Sequence, residues 1–368
     1  MDLFPETGRP LPAASNRRSG QYLAASERPS PVRFADGYLP FEVFVREQGI
    51  DPAPLAKDAS ALWEFLASRT TVTDDPALLI SAARFAGNVV AVMHPAATWR
   101  VLSQPEIGTA TRSIPVTSLV EMMVTHPEQR QPFLDMLSTW EQEDSDEAEY
   151  RALSQRNPAP PLAIPPNPFP RPVFSAKILR DEDGHEVSYG SRWDGSVPPE
   201  EAYSRVTNPA RFAPLALDVD ALTGYLRTWY LVDVAVEMTG VGAQRATFHP
   251  TTGTPMTITV NADSATLEAG ALFIQTFPNC SCDACDEDAH TAADDLERHV
   301  LAIAAGGFRE IYPIGHRQWA LTGFHYLDGT STTNGGAPHP QHTTTSPHEA
   351  EQALAHLTDG WWPAWTLR

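Results

Sequence analysis

A chain of 368 residues, 42% of them apolar and including nine Trp and fifteen Phe, is long enough for two domains and rich enough in large side chains to fill a core in each. Its 46 Asp and Glu against 26 Lys and Arg leave a net charge of −20, which argues against nucleic-acid or anionic-membrane partners, because neutralising phosphates requires clustered basic side chains. With no run of about eighteen apolar residues and no basic-then-apolar leader, the expectation is a cytoplasmic protein, in whose reducing surroundings three cysteines do not make a disulfide framework.

Residues 1–34 are rich in Pro, Ser, Arg and Ala, lack apolar periodicity and are predicted to be a disordered arm, with Tyr22 and Leu23 as docking candidates. A first domain is predicted over residues 35–140. Pro40 suits the first turn of a helix that carries Phe41, Phe44 and Val45 inward and ends at Gly49. Leu62, Phe65 and Leu66 have the spacing of a second core-facing helix, and Asp75-Pro76 opens a third that continues to Gly87 and stops there. Val89–Met93 and Trp99–Leu102 then read as a hairpin of two strands, with His94 at the surface in its turn. Val116–Val124 and Phe133–Trp140 supply two closing helices. This order of helix, glycine, strand, turn and Trp-strand resembles small uncharacterised bacterial α+β modules.

Glu141, Glu143, Asp144, Asp146, Glu147 and Glu149 form an acidic run, and eight prolines follow between Pro158 and Pro172. Like charges that repel, followed by residues that favour polyproline II, predict a solvated linker over residues 141–172, in which Pro161–Pro172 could also present an SH3-type ligand.

The second domain is predicted over residues 173–368. Pro214 opens a helix with Leu215, Val219, Leu222, Leu226 and Trp229 along one face. Val232–Met238, Met256–Val260 and Ala271–Phe277 suggest an antiparallel meander, and Phe308–Tyr312 with Gln318–His325 a second pair of strands. Between them Ala289–Ala305 is an amphipathic helix ended by Gly306-Gly307. Ser346-Pro347-His348-Glu349 is a capping box for a last helix. The fold class is therefore α+β, two domains each with helices packed on a small, mainly antiparallel sheet.

Two stretches of this half carry a resemblance. Tyr203-Ser204-Arg205-Val206-Thr207-Asn208-Pro209-Ala210-Arg211-Phe212 and Cys280-Ser281-Cys282-Asp283-Ala284-Cys285-Asp286-Glu287, followed by the tail Trp362-Pro363-Ala364-Trp365, look like the signatures of an actinobacterial domain-of-unknown-function family. The likeness covers roughly residues 191–368. Ser281 stands where that family carries glycine, which puts the geometry of a tight turn in question. Arg205 and Arg211 have no Gly-rich phosphate loop beside them, so ion pairing within this acidic chain is the expectation for both.

All three cysteines fall in the second stretch. Cys282-x-x-Cys285 has zinc-knuckle spacing and Cys280 is near enough to add a third thiolate, with His290 and His249 as candidates for a fourth ligand. No second C-x-x-C or fixed H-x₃₋₅-H accompanies it. The alternatives are an inert turn in which Asp283 and Asp286 cap the following helix, and a redox or nucleophilic cysteine. His325, His339, His342 and His348 form a second cluster, which reads either as a metal or pH-sensitive patch or as a plain surface loop. No G-x-S-x-G, HExxH or P-loop is present. The expected function is a binding or adaptor protein with an acidic surface, a possible structural zinc and a basic protein partner. The alternative is a zinc-dependent hydrolase-type enzyme built on the same three cysteines.

Overall fold

The computed structural model describes residues 3–4, 9–12, 31–109, 111–155, 159–175, 178–181, 183–193, 195–240, 242–338 and 345–368. The chain divides into two compact units, Met1–Ala148 and Glu149–Arg368, each with its own apolar core.

The first unit is built from helices α1 (Leu39–Glu47), α2 (Pro52–Leu55), α3 (Ala59–Leu66), α4 (Thr70–Asp74) and α5 (Pro76–Met93). Strands β1 (Thr98–Val101), β2 (Pro105–Gly108) and β3 (Ser113–Pro115) then form an antiparallel sheet, and helices α6 (Val116–Thr125), α7 (Arg130–Ser138) and α8 (Trp140–Gln155) follow, the last with only its residues up to Ala148 in this unit. Asp51, Asp58 and Asp75 each accept backbone N–H groups at the start of α2, α3 and α5, satisfying donors that a helix leaves unpaired.

Three expectations for this region need correction. Helix α5 does not stop at Gly87 but runs on through Asn88–Met93, so the first predicted strand is helical. Gly87 is there for close approach: a Cβ on it would meet the Trp99 ring at 2.3 Å. At eighteen residues α5 is long and apolar enough to cross a bilayer by length and composition, yet its buried face, including Phe85, Val89 and Val90, belongs to the core. Of the predicted arm, Phe4 and Phe34 are buried in that core, and Asn88 ties Ala35 down through its side-chain oxygen and amide, both at 2.8 Å. Tyr22 and Leu23 lie outside the described residues. The acidic run, predicted to be a repelling spacer, is the body of α8, where Arg112 pairs with Glu143.

In the second unit a short hairpin of β4 (Leu179–Arg180) and β5 (Glu186–Val187) precedes helix α9 (Leu215–Trp229). A five-stranded antiparallel sheet follows, of β6 (Val232–Gly240), β7 (Ala243–Pro250), β8 (Met256–Val260), β9 (Ala265–Ala269) and β10 (Phe273–Phe277), paired in the order β10-β9-β8-β7-β6. Helix α10 (Ala289–Ala305) returns over this sheet, and β11 (Phe308–Ile314), β12 (Trp319–His325) and β13 (Ser331–Gly336) form a second antiparallel sheet before helix α11 (Pro347–Leu354). The meander, both long helices and the capping box were legible. Strands β7 and β9 are additions, set by the alternate burial of Ala246 and Phe248 and of Ala265, Leu267 and Ala269.

The prolines after residue 158 lie along this unit. Ala163 N–H donates to Ala305, Tyr230 and Tyr225 hydroxyls donate to the carbonyls of Ala163 and Asn167, and Arg171 pairs with Glu297 and Asp294 of α10. A spacer free in solvent is therefore not what this stretch forms. The Trp-rich tail also packs back: Trp362 and Trp365 backbone N–H groups donate to Phe308 and Ala304 carbonyls.

Between α9 and α10 the Asp218 carboxyl is fully buried beside Glu297, with no N–H donor on either oxygen among the described residues. Burial first, and then Glu297, pushes it up to about 8. A carboxyl raised on folding adds stability that is complete below its unfolded value of about 4 and lost as pH rises through the folded one. The contribution of this carboxyl to the wild type's melting temperature is thus expected to fall between about pH 4 and about pH 8 and to level off above that. Asp218→Asn should flatten that slope, and an unchanged slope in a pH series of thermal melts would contradict the assignment.

Candidate metal centre

The cysteine loop spans the gap between the end of β10 and the N-terminus of α10. Asp288 caps α10, its side chain accepting the Thr291 N–H at 2.8 Å. The loop itself is fixed by the first signature stretch. Asp283, with no exposed surface, turns inward. Its Oδ2 accepts from Arg205 Nε at 3.0 Å and from the Thr207 hydroxyl, and its Oδ1 accepts from the Thr207 N–H at 3.0 Å. Arg192 Nη1 stands 3.4 Å away and Tyr189 adds its hydroxyl. Burial by itself would raise this carboxyl, but the Thr207 and Arg205 hydrogen bonds and the Arg192 charge outweigh it and hold it at about 2. Arg211, also buried, spends its guanidinium on three carbonyls, of Glu287, Ser281 and Asn208, and lies over the Tyr189 ring. Backbone bonds from Asp283 N–H to Arg205 and from Ala284 N–H to Ala202 complete the clamp.

This geometry revises the reading of the acids. Neither Asp283 nor Asp286 caps the helix. Asp286 takes a left-handed φ of 53° and accepts the Arg192 N–H on Oδ2 at 2.6 Å, while its buried Oδ1 has no hydrogen-bond partner among the described residues, so of the two acids only Asp283 is fully engaged. Of the two arginines, Arg205 forms the expected ion pair, whereas Arg211 binds carbonyls. Ser281 lies outside the left-handed region, so the loop does not require a glycine at this position.

The clamp brings Cys280, Cys282 and Cys285 together, with all three Sγ atoms within 4.8 Å of one another. Sulfurs bound at about 2.3 Å to one tetrahedral zinc stand about 3.8 Å apart, so the set needs less than about 1 Å of contraction to take that ion. All three are free thiols. Burial pushes Cys282 up, but hydrogen bonds from Cys280 and from the Cys285 and Ala284 backbone outweigh it and leave the thiol below its ordinary value. Cys285 is driven the other way by desolvation and by its two sulfur neighbours. Cys282 and Cys285 are thus pushed apart, and the buried Cys282 is the one favoured as a thiolate.

The predicted histidines do not join them. Alternation along β7 puts Phe248 in the core and leaves His249 exposed, opposite Asp233 of β6. His290, in the first turn of α10, packs on Phe174 in a tilted ring contact with centroids 4.9 Å apart. Among the described residues the cluster thus contains three ligands and no fourth, and Cys285 is its exposed member. His325 hydrogen-bonds Ser331 and His348 hydrogen-bonds Gln352, while His339 and His342 lie outside the described residues. A second close set, Asp181, Asp183 and His185 in the β4–β5 turn, is accounted for by Asp181 accepting the two backbone N–H groups of that turn.

A family model described as a family of unknown function (DUF6226) matches residues 175–368. No curated protein and no solved structure matches the chain.

Proposed function

The chain belongs to the DUF6226 family of unknown function, and from its thiol cluster and its charge we propose a two-domain binding or adaptor protein whose C-terminal unit is held by one structural zinc and which takes a basic protein partner. The observation that carries the zinc is the convergence of Cys280, Cys282 and Cys285 on a loop already fixed by Asp283 and Arg211. Because only the folded chain brings these three ligands together, the energy of ion binding adds to the stability of the fold. Net charge of −20 supports a basic partner through electrostatic complementarity. Three free thiols suit a reducing compartment such as the cytoplasm.

The expected result is about one equivalent of zinc copurifying with the chain and a lowered melting temperature on chelation. Cys282→Ser should lose both the metal and the chelator response. Metal-free protein with an unchanged melt in Cys282→Ser would sink the zinc reading.

One observation favours a second reading, a zinc-dependent hydrolase-type enzyme. The exposed side at Cys285 has no fourth ligand among the described residues, and an open position is what catalytic zinc sites keep for water. X-ray absorption separates the two: a fourth nitrogen or sulfur closes the site, whereas a bound water oxygen opens it.

A further inference from the structure

The five-stranded sheet ends at β6, whose strand partner among the described residues is β7 alone. Thr251 N–H donates to the Leu231 carbonyl, so in the antiparallel register the odd-numbered residues of the strand turn their backbone groups toward β7. The N–H and C=O groups of Val234, Val236 and Met238 therefore face outward along an open edge. Sheet edges are ordinarily blunted by short length, proline or inward lysine. This one is nine residues long and contains neither Pro nor Lys.

Its side chains state what would pair with it. Val236 is 52% and Met238 70% exposed, unusual for large apolar groups and continuous with the half-buried Val234 on the same face. The opposite face presents Asp233 and Glu237, both exposed, with Ala235 between them; across β7 Asp233 stands opposite His249, and Glu237 lies 3.6 Å from Arg245 in an exposed pair that leaves it open to a second cation. We infer that the outer edge of β6 is a docking strand for an extended segment of a basic partner, in which apolar residues cover Val234, Val236 and Met238 and Lys or Arg residues cover Asp233 and Glu237. This rests on the reading of the chain as an acidic binding protein. Strand addition supplies affinity through main-chain hydrogen bonds and specificity through alternate side chains. Opposite charges directly across a ladder stabilise it, and like charges oppose it. A second copy fits less well. Pairing about Ala235 sets Asp233 against Glu237, and pairing about Val236 sets these acids against Thr239 and Ala235, which give them no counter-charge.

The test uses the full chain and labelled peptides of about ten residues in fluorescence anisotropy. An alternating Lys–Val peptide is expected to bind at least about tenfold more tightly than a peptide of the same composition with lysines and valines in two blocks. Val236→Pro removes an outward N–H and should abolish that advantage. The exposed double change D233K/E237K, which does not depend on a strand-breaking residue, should shift the preference to an alternating Glu–Val peptide. Equal binding of the alternating and blocked peptides, or an unchanged preference in D233K/E237K, overturns the docking strand. So does a dimer by sedimentation that Val236→Pro dissolves, because a second copy then occupies the edge. A flexible Lys–Gly peptide that binds wild type while alternation adds nothing overturns the strand alone. Failure of every basic peptide overturns the basic-partner reading with it.

Discussion

Replacing Asp283 by alanine is expected to destabilise the C-terminal unit by about 3–5 kcal/mol, the usual cost of removing one member of a buried ionic network and leaving the others uncompensated. Asp283 has no exposed surface, while Arg192 and Arg205 keep 17% and 38% of theirs, so solvent screens part of the charge left behind and places the loss toward the lower end of that range. For a unit of this size, that loss corresponds to a fall in melting temperature of roughly 10 °C. The Thr207 N–H, the Thr207 hydroxyl and the Arg205 guanidinium would lose their shared acceptor. The loop would then be held by Arg211 and by the backbone bonds from residue 283 to Arg205 and from Ala284 to Ala202. Asp283→Asn keeps the shape but turns an amide donor toward donors, and should fall between alanine and wild type. Because Asp283 lies between Cys282 and Cys285, the same variants should release zinc at lower chelator concentration than wild type. A melt of Asp283→Ala within about a degree of wild type would show that Arg211 and the two backbone bonds set the loop without the carboxylate.

That network explains why some of the site was legible and some was not. The cysteine spacing is local and could be read directly, as could the cap of α10 and the Gly306 stop, where φ is 83° and a Cβ would meet Ala364 at 2.8 Å. The role of Asp283 is set by Arg192, Arg205 and Thr207, all more than seventy residues away, and no sequence period encodes such a contact. An acid beside a helix start looks like a cap whether or not it turns inward. Arg205 and Arg211 were a partial signal, since two arginines without a phosphate loop in an acidic chain need partners inside it. Gly87 misled for a related reason: as a stop signal it competes with a second use of glycine, and the Trp99 ring twelve residues later decides between them. Proline richness likewise describes backbone stiffness, not location. Whether residues 159–172 stand in solvent or lie on the domain depends on the acceptor at Ala305 and the hydroxyls of Tyr225 and Tyr230.

Glu310→Ala is expected to produce a loss of similar size, about 3 kcal/mol or more, far from the cysteines. Glu310 is 1% exposed on β11, and its carboxylate accepts three donors: the Ala271 and Leu272 N–H groups at 2.9 Å and the Trp362 indole at 2.8 Å. One side chain thereby joins the β9–β10 turn, the second sheet and the C-terminal tail. The turn is shaped around it, for Gly270 has a φ of 64° and a Cβ there would lie 1.8 Å from Glu310 Oε2. Alanine would leave three buried donors without an acceptor, each worth about 1–3 kcal/mol. Glutamine retains one carbonyl oxygen and should cost less than half as much. Burial pushes the Glu310 carboxyl up despite its donors, so its contribution is complete below the unfolded value and declines as pH rises through the folded one. The gap between wild type and Glu310→Gln should accordingly narrow as pH rises. A double-mutant cycle with Trp362→Phe, which deletes only the indole donor, isolates the tail contact. A coupling of about 1 kcal/mol or more identifies the carboxylate as what anchors the Trp-Pro-Ala-Trp tail. A coupling near zero would assign that anchoring to the backbone bonds at Phe308 and Ala304 and to burial of the rings.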